Sequence, residues 1–497
     1  MNKITLTLLT LLIAAFASCS KWLDVQPETE VDRDVLFSTA EGFEEALLGI
    51  YSRCTEDDLY GKELTIGTPE VLAQHYTISN QDPLRYLQTS RYAYGDGDFI
   101  FRKDKIWKGL YHAIANCNLI LAQIDDQQRL FGPGIYELIK GETLALRAYL
   151  HFDALRLFAP SLSSNAGAKG IPYVTAYSKN TTPMATVAAV LDSAIQDLQA
   201  AKALLANDPI RNPGYIVGYP VESVLGLNTE ELNKNLFLQN RRHRMNYYAV
   251  CGALARLFLY QGDNANALLQ ATEVIDANRF PWTAMEDLLA VDAKDKDRIL
   301  YKELVFGWYI PGKNDTYNRD WFMESSSGMY IDQSVNQAFY ETATVGGSDQ
   351  RYRQWYSSIS ENNTPLSIMT KYRRNNLSDA EDANRHYLMA PAIRLSELYY
   401  IAAECTFPAD PAAAAAYIDA VRAQRGIGEP VPAGNKAIFT EELLKEYRKE
   451  LLGEGQVFYA YKRLNHAIPA QNGTTIAPSD AVFVLPLPDD EIIYGNR

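Results

Sequence analysis

The sequence predicts a mainly α-helical protein. Antiparallel helix pairs of the tetratricopeptide type stack into an α-solenoid, which carries long irregular loops and a few short strands. Three observations predict this class. Apolar residues recur at helical spacing in several long segments, with glycine or proline at the breaks. Small residues alternate with large ones in the most regular pair, which allows two helices to approach closely. Long aromatic and polar stretches without periodicity separate the pairs.

The chain begins with a segment that we interpret as a lipoprotein signal peptide. An uncharged apolar run after Lys3 is too short for a membrane-spanning helix of about 20 residues. It ends in Ala17-Ser18-Cys19, and a bacterial lipoprotein signal is cut just before a cysteine that then receives lipid. We therefore expect residues 1–18 to be removed and Cys19 to be the lipid anchor. The alternative is an ordinary signal peptide in which Cys19 is a chance residue.

The composition is that of a globular protein. The 497 residues are 47% hydrophobic and 22% charged. The net charge of −14 argues against nucleic acid and against electrostatic docking on an anionic membrane, so the lipid has to anchor the chain. Four cysteines besides Cys19 lie in apolar helical patterns without CxxC spacing, so core thiols are favoured over a disulfide framework or a metal site. These are Cys54, Cys117, Cys251 and Cys405.

The helical segments fall into four regions. They lie near 103–160, 183–206, 245–278 and 391–427. Pro183 is predicted at the first position of the second region's helix. In the most regular pair, Gly262 is placed to end the first helix in a left-handed turn and Asp263 to cap the second. Unrelated helical hairpins are the alternative, because the match to tetratricopeptide repeats lies in spacing more than in signature residues.

Two long segments, near 55–102 and 280–388, are predicted to bind a ligand. Loops of this length are uncommon unless they are functional. The runs 303–310 and 481–488 are candidates for short strands. No composition shift marks a second domain, so a single domain over 19–497 is predicted.

Catalytic motifs are missing from the sequence. It contains no P-loop, GxGxxG, HExxH or GxSxG pattern, and the run 292–298 lacks the glycine and glutamate of an EF-hand. Adjacent acidic pairs in polar loops are more typical of solvated surface than of glycosidase carboxylates. His151, inside a helix, is predicted to be packed rather than to act as a base. We predict no enzyme activity, no catalytic residue, no cofactor and no metal.

Residue patterns suited to ligand binding are present, in contrast to catalytic motifs. Sugar rings stack their C–H faces on flat aromatic rings, while their hydroxyls need polar side chains at the edge. The segments 75–98 and 307–330 offer both. The candidate ligand-binding residues are Trp308, Trp321, Tyr309, Tyr317, Phe322, Asn314, Arg319, Tyr76, Tyr86 and Tyr92. For each ring, the alternative is that it only packs its loop on the scaffold; for Trp107, inside a helix, core packing is favoured.

Segments from end to end of the mature chain carry a resemblance to a known family. They are "CSKWLDVQPETEV", "LFSTAEGFEEALLGIYS", "GETLALRAYLHFDALRLFAP" followed by "GIPYV", "IRLSELYYIAAEC", "ELLKEYRKELLGEGQVFYAYKRLN" and "VFVLPLPDDEI". In this order they resemble the SusD/RagB family of surface nutrient-binding lipoproteins of Bacteroidetes-type bacteria. Gln456 and the run 459–461 depart from residues common in relatives, at positions that we interpret as structural.

The resemblance implies a fold and a function. It implies a SusD-like fold, in which four tetratricopeptide-like pairs pack against a less regular ligand-binding half. It also implies a lid on a TonB-dependent SusC-type transporter, held at the outer membrane by its lipid alone and facing the cell exterior. We expect a lipoprotein that binds an oligo- or polysaccharide and delivers it to this partner. The alternatives are a peptide or glycopeptide binder of the same fold, a secreted glycoside hydrolase and a plain helical-repeat adaptor.

Overall fold

Long helices form the scaffold of the protein. The computed structural model describes residues 33–292, 295–311, 329–361, 363–372, 388–432 and 434–495. Cys19 and the signal peptide lie outside these residues. The long helices of the described part are α1 (Ala40–Cys54), α2 (Gly97–Ile124), α3 (Ile135–Phe158), α4 (Val187–Leu204), α5 (Tyr247–Gln261), α6 (Asn264–Asp276), α7 (Leu395–Thr406), α8 (Pro411–Ala423) and α9 (Lys436–Glu450).

Consecutive helices pack on each other from α2 to α8, which is the arrangement of an α-solenoid. The predicted helix pairs are therefore confirmed. The second region differs from the prediction at its start, because α4 begins at Val187 and not at Pro183. The hydroxyl of Thr186 accepts a hydrogen bond from the Ala189 backbone N–H, so the N-cap is Thr186, three residues after Pro183. No described helix has the length and apolar character needed to cross a membrane.

Short helices and turns of helix fill the connections. They are Arg33–Leu36, Glu63–Gly67, Thr68–Leu72, Leu87–Ser90, Asp125–Leu130, Leu162–Asn165, Leu205–Asn207, Pro209–Arg211, Pro220–Leu225, Leu236–Leu238, Arg241–His243, Met285–Leu288, Tyr301–Glu303, Gln333–Phe339, Val345–Ser348, Gln350–Trp355, Val457–Arg463, Asp480–Phe483 and Asp489–Tyr494. The segments predicted as irregular loops therefore contain several short ordered elements.

The strands form three small antiparallel sheets. They are β1 (Thr77–Ile78), β2 (Leu304–Tyr309), β3 (Met329–Asp332), β4 (Tyr356–Glu361), β5 (Thr364–Met369), β6 (Met389–Arg394), β7 (Ile468–Pro469) and β8 (Thr475–Ile476). The first sheet has the order β1-β3-β5-β4, the second pairs β2 with β6, and the third pairs β7 with β8. The predicted strand in 303–310 is confirmed as β2.

The predicted strand in 481–488 is wrong. Residues Asp480–Phe483 form a helical turn. After this turn, the backbone N–H of Leu485 donates to the carbonyl of Leu157 at the end of α3, at 2.9 Å. Phe483 and Leu485 are buried. The alternating apolar residues of this run therefore pack an extended segment against the end of α3. Among the described residues, this segment is not part of a sheet.

The helix turn between α5 and α6 has the predicted geometry. Gly262 adopts a φ of 85°, and the Asp263 carboxylate accepts from the Asn266 backbone N–H. Gly252 is one of the small residues of this pair, which were predicted to let its two helices approach closely, but it lies against a strand. A Cβ at Gly252 would lie 2.9 Å from Cγ2 of Ile393, so this glycine allows α5 to approach strand β6 closely, not helix α6.

The apolar core is one continuous cluster from Phe37 to Leu485. Trp107 lies in it, as predicted. His151 is fully buried: its Nδ1 lies 2.8 Å from the Arg147 carbonyl, and its Nε2 accepts from the Val174 backbone N–H. Burial lowers the pKa of His151 to about 3, so it is a neutral packed residue, as predicted. The four cysteines of the described chain are buried and unpaired, in agreement with the expected core thiols.

Candidate ligand-binding site

A cleft of about 470 Å³ lies between α1, the end of β2 and the segment that precedes α5. Its volume lies within the range typical of small-molecule sites, about 300–1,000 Å³. The residues that line it are Glu44, Leu48, Tyr51, Ser52, Thr55, Leu236, Phe237, Gln239, Asn240, His243, Arg244, Trp308, Tyr309 and Pro311. The cleft therefore brings together three segments that are distant in sequence.

Helix α1 contributes one of its faces. Glu44, Leu48, Ser52 and Thr55 follow one another at spacings of three and four residues, which places them on one side of a helix. The Thr39 hydroxyl caps this helix by accepting from the Gly42 backbone N–H at 3.1 Å. The opposite face of α1 is buried in the core, so the core supports this wall of the cleft.

Strand β2 contributes the aromatic floor. It is buried along its length except at its last residue, Tyr309, which is 42% exposed. Register with β6 fixes this end of the strand, because Tyr309 lies opposite Met389 and Trp308 opposite Ala390. Successive strand residues point to opposite faces, so Trp308 and Tyr309 have different surroundings.

Tyr309 stacks on the imidazole of His243, with ring centroids 5.6 Å apart and planes 3° apart. His243 Nε2 lies 3.0 Å from the Tyr301 hydroxyl, which fixes the orientation of the imidazole. Burial, reinforced by the charges of Arg242 and Arg244, lowers the pKa of His243 to about 3. The imidazole is therefore neutral near pH 7 and supports the tyrosine ring as a flat, uncharged plate.

Trp308 forms the wall behind this plate. Its ring stacks on Tyr60 with centroids 4.3 Å apart and planes 12° apart, and it meets Phe306 edge to face at 4.7 Å. Only 1% of its surface is exposed. The prediction of Trp308 as a stacking platform is corrected here, because a ring already stacked in the core has no free face for a ligand.

Arg244 is the buried cation of the cleft. Its guanidinium lies over the Phe237 ring, 4.1 Å from the centroid, and its Nη2 donates to the Phe237 carbonyl. Its Nε is 3.9 Å from the nearest carboxylate oxygen, on Glu142. Burial lowers the pKa of Arg244, although the attraction of Glu142 acts in the opposite direction.

Glu44 is the carboxylate of the cleft. Partial burial and the neighbouring Glu41 raise the pKa of Glu44, while Arg244 acts to lower it. Gln239 is held by its amide, which donates to the carbonyls of Glu231 and Asn233 at 2.8 and 2.7 Å. A flat ring bordered by a guanidinium, a carboxylate and amides can hold a ligand that has an apolar face and a polar edge.

Three predicted rings lie outside this cleft and are structural. Tyr76 is 5% exposed, and its hydroxyl donates to the Ile66 carbonyl at 3.2 Å. Tyr86 is 2% exposed, and the Arg102 guanidinium covers its ring at 3.7 Å. Tyr92 is half-buried, with its hydroxyl donating to the Leu72 carbonyl at 2.7 Å. We correct their prediction as ligand platforms, because all three hydroxyls are hydrogen-bonded to the scaffold and the rings of Tyr76 and Tyr86 are buried.

The other predicted residues lie outside the described chain. They are Trp321, Tyr317, Phe322, Asn314 and Arg319, all in 312–328. That segment follows Pro311, a residue of the cleft wall, in sequence. Their role stays a prediction.

Reasoning from the sequence missed Glu44, His243 and Arg244. A signal for two of them was present, since residues 241–244 read Arg-Arg-His-Arg in a chain of net charge −14. Such a cationic run is unusual in a chain with a net negative charge. Within the described residues, no group of three or more histidine, cysteine, aspartate or glutamate side chains is arranged to hold a metal ion.

Two family models match the sequence. The model described as "Starch-binding associating with outer membrane" matches residues 21–215, and the model described as "SusD family" matches residues 312–492. No curated protein matches the chain. The matches agree with the resemblance found in the sequence motifs at both ends of the chain.

Solved structures share the fold. A SusD superfamily protein from Bacteroides thetaiotaomicron superposes with a TM-score of 0.71 at 22% identity, covering 92% of this chain and 98% of its own. A SusD superfamily protein from Bacteroides vulgatus gives 0.70 at 20% identity, covering 92% and 98%. A SusD-like carbohydrate binding protein from Bacteroides vulgatus gives 0.70 at 16% identity, covering 92% and 97%. The predicted helical, SusD-like fold class is confirmed.

Proposed function

We propose that this chain, which belongs to the SusD family, is a non-enzymatic glycan-binding lipoprotein of the outer membrane that faces the cell exterior. The observation that carries the proposal is the exposed Tyr309 ring, backed by neutral His243 and bordered by polar side chains. A sugar ring offers C–H groups to such a plate and hydroxyls to its edge. Aromatic side chains also lose little rotamer freedom on binding, because they have only two side-chain torsions.

Family membership supports a role in uptake. One matching model describes proteins that bind starch and associate with the outer membrane, and one solved relative is described as a carbohydrate binding protein. We propose that the bound glycan passes to a TonB-dependent SusC-type transporter and that Cys19 carries the lipid anchor. Residues 19–497 would act as one domain, in keeping with the continuous core from Phe37 to Leu485.

The Tyr309→Ala variant tests the glycan site. Loss of the stacking ring is expected to weaken binding by about 1–3 kcal/mol, by analogy with nucleic-acid bases that stack on aromatic rings. The thermal melting temperature should change little, because 42% of the Tyr309 surface is already exposed. Isothermal titration calorimetry against a panel of soluble polysaccharides and peptides measures the first effect, and a thermal melt measures the second.

Tyr177→Ala is the matched control for this variant. Tyr177 is 54% exposed and is not among the residues that line the cleft, so its loss should leave binding unchanged. Unchanged binding of every ligand by Tyr309→Ala would place the site elsewhere on the surface. Binding of peptides in place of polysaccharides would support the peptide-binding alternative.

Replacement of the lipid-accepting thiol tests the anchor. Cys19→Ala is expected to move the protein out of the membrane fraction or to leave the signal peptide uncut. The acyl chains account for the retention, since each buried methylene contributes about 0.8 kcal/mol to membrane binding. Cell fractionation and the mass of the mature chain give the result, with Ser20→Ala as the control. A Cys19→Ala protein that is cut and pellets with outer membranes like the wild type would contradict the anchor.

A further inference from the structure

We infer that the cleft selects a glycan that carries carboxylate groups, as in a uronic-acid polysaccharide. The inference rests on the proposed glycan-binding function and names the chemical class of its ligand. It follows from two buried N–H donors that have no acceptor among the described residues, from the charge around Arg244, and from the overall charge of the chain.

The first observation concerns hydrogen bonding at the cleft. Arg244 is 6% exposed and Trp308 is 1% exposed, and both line the cleft. Within the described chain, neither Nη1 of Arg244 nor Nε1 of Trp308 has a hydrogen-bond partner. A buried donor left unpaired loses its hydrogen bonds to water without replacement, and this loss is larger where the group is charged. Both free groups are donors, so the complementary ligand group is an acceptor.

The second observation concerns charge. Glu142 is the carboxylate nearest to Arg244, but its Oε1 accepts from Arg241 and its Oε2 accepts from the Tyr51 hydroxyl at 2.9 Å. Asp208, the other buried carboxylate of this cluster, makes a bidentate pair with Arg241 at 3.0 and 2.8 Å. Arg244 therefore has no carboxylate in hydrogen-bond contact among the described residues.

A carboxylate fits this environment better than a hydroxyl. The guanidinium presents its N–H groups as a rigid fork that matches the two oxygens of a carboxylate. Hydrogen bonds that involve an ionised partner are also about twice as strong as neutral ones. Glu44, at the same cleft, is an acceptor without a donor while it is ionised, so it suits the sugar hydroxyls and not the acidic group.

The net negative charge of the chain argues against a nonspecific electrostatic attraction for acidic glycans. A net charge of −14 repels polyanions in bulk. A preference for an acidic glycan over its neutral form must therefore come from a local cation, and Arg244 is the buried cation among the residues that line the cleft.

The experiment compares each acidic polysaccharide with its neutral counterpart. Polygalacturonate and alginate are titrated into the full mature protein by calorimetry, beside their methyl-esterified forms, which have the same backbone without the charge. We expect the acidic form of at least one of them to bind about tenfold more tightly or better, because hydrogen bonds to an ionised group are stronger than neutral ones. Equal affinities for the acidic and esterified forms would overturn the inference.

The Arg244→Gln variant assigns the preference to one side chain. It is expected to bind acidic and esterified forms equally, while Arg244→Lys, which keeps the charge but loses the fork, should keep part of the difference. A thermal melt checks folding, because Arg244 packs on Phe237. If Arg244→Gln does not fold, the comparison of the two polysaccharide forms on the wild type still decides.

The proposed function and this inference fail in different ways. Tyr309-dependent binding of neutral polysaccharides without a preference for acidic ones would overturn only the inference. A full acidic preference that persists in a folded Arg244→Gln protein would also overturn it. Binding of no polysaccharide, acidic or neutral, would contradict the proposed function itself.

Discussion

The Glu450→Ala variant is expected to lower the free energy of unfolding by about 3–5 kcal/mol, the range for breaking a buried ion pair by removal of one partner. Glu450, at the end of α9, is completely buried. Its Oε1 accepts from Arg394 at 2.6 Å and from Arg425 at 2.7 Å, and its Oε2 accepts from Arg351 at 3.1 Å. Alanine would remove one counter-charge from three buried guanidiniums. A buried charge that loses its partner strongly destabilises the folded state.

Urea denaturation at pH 7 measures this loss, and the same helix supplies a control. Glu442 pairs with Lys445 at 2.7 Å, but the lysine side chain is 41% exposed. A solvated pair of this kind contributes at most about 1 kcal/mol, so Glu442→Ala should cost little. Equal and small losses for the two variants would show that the buried network contributes no more to stability than a surface pair.

This network shows where the sequence was informative and where it was not. The helix pairs from α2 to α8 were recovered from periodicity because their apolar faces pack on neighbours in the chain, whereas α9 was not among the predicted helical regions. The burial of Glu446 and Glu450 could not be predicted in the same way. Their partners Arg351, Arg394 and Arg425 come from three other segments, and only tertiary structure brings them together.

The aromatic loops show the same limit. Composition predicted rings beside polar groups, and that pattern fits both a ligand platform and a packed loop. Tyr86 meets the composition, yet its hydroxyl donates to Glu63 at 2.5 Å and its ring lies under Arg102. Tyr309 fits the same composition, but its ring is exposed because it is the last residue of its strand. What separates the two residues is the position of each in the fold, which composition does not contain.

The cleft itself depends on contacts between distant segments. Glu44 and Tyr309 are separated by more than half of the chain, and the segment with His243 and Arg244 comes from between them. No local pattern brings these three together. The basic run at 241–244 was not recognised as a signal in the sequence, and only the fold shows that Arg241 and Arg242 form buried ion pairs while Arg244 lines the cleft.

Stability is expected to fall as the pH drops from about 5 to about 2. Burial alone would raise the pKa of Glu446, but Arg351, Lys449 and Arg422 outweigh it and lower the pKa to about 2. The guanidiniums of Arg425 and Arg394 likewise hold the pKa of Glu450 well below its ordinary value. Because the folded pKa lies below the unfolded one, this stabilisation is complete above about pH 5 and is lost as protons bind.

For Glu446, a change from 4.5 to about 2 corresponds to about 3 kcal/mol across this window. The measurement is urea denaturation at several pH values between 7 and 2. Buried histidines contribute in the same direction, since burial also lowers the pKa of His75 and protonation favours the unfolded chain. A variant that removes only the Glu446 carboxylate is therefore needed to separate its effect from that of the histidines.

Glu446→Gln is that variant, because it keeps the shape of the side chain and removes the titrating group. Its free energy of unfolding should be lower than that of the wild type at pH 7, and the two values should converge as the pH approaches 2. Glu442→Gln, which alters the partly exposed pair with Lys445 on the same helix, should retain the wild-type slope. A Glu446→Gln protein whose stability falls with pH as steeply as that of the wild type would show that other groups, such as the buried histidines, cause the acid sensitivity.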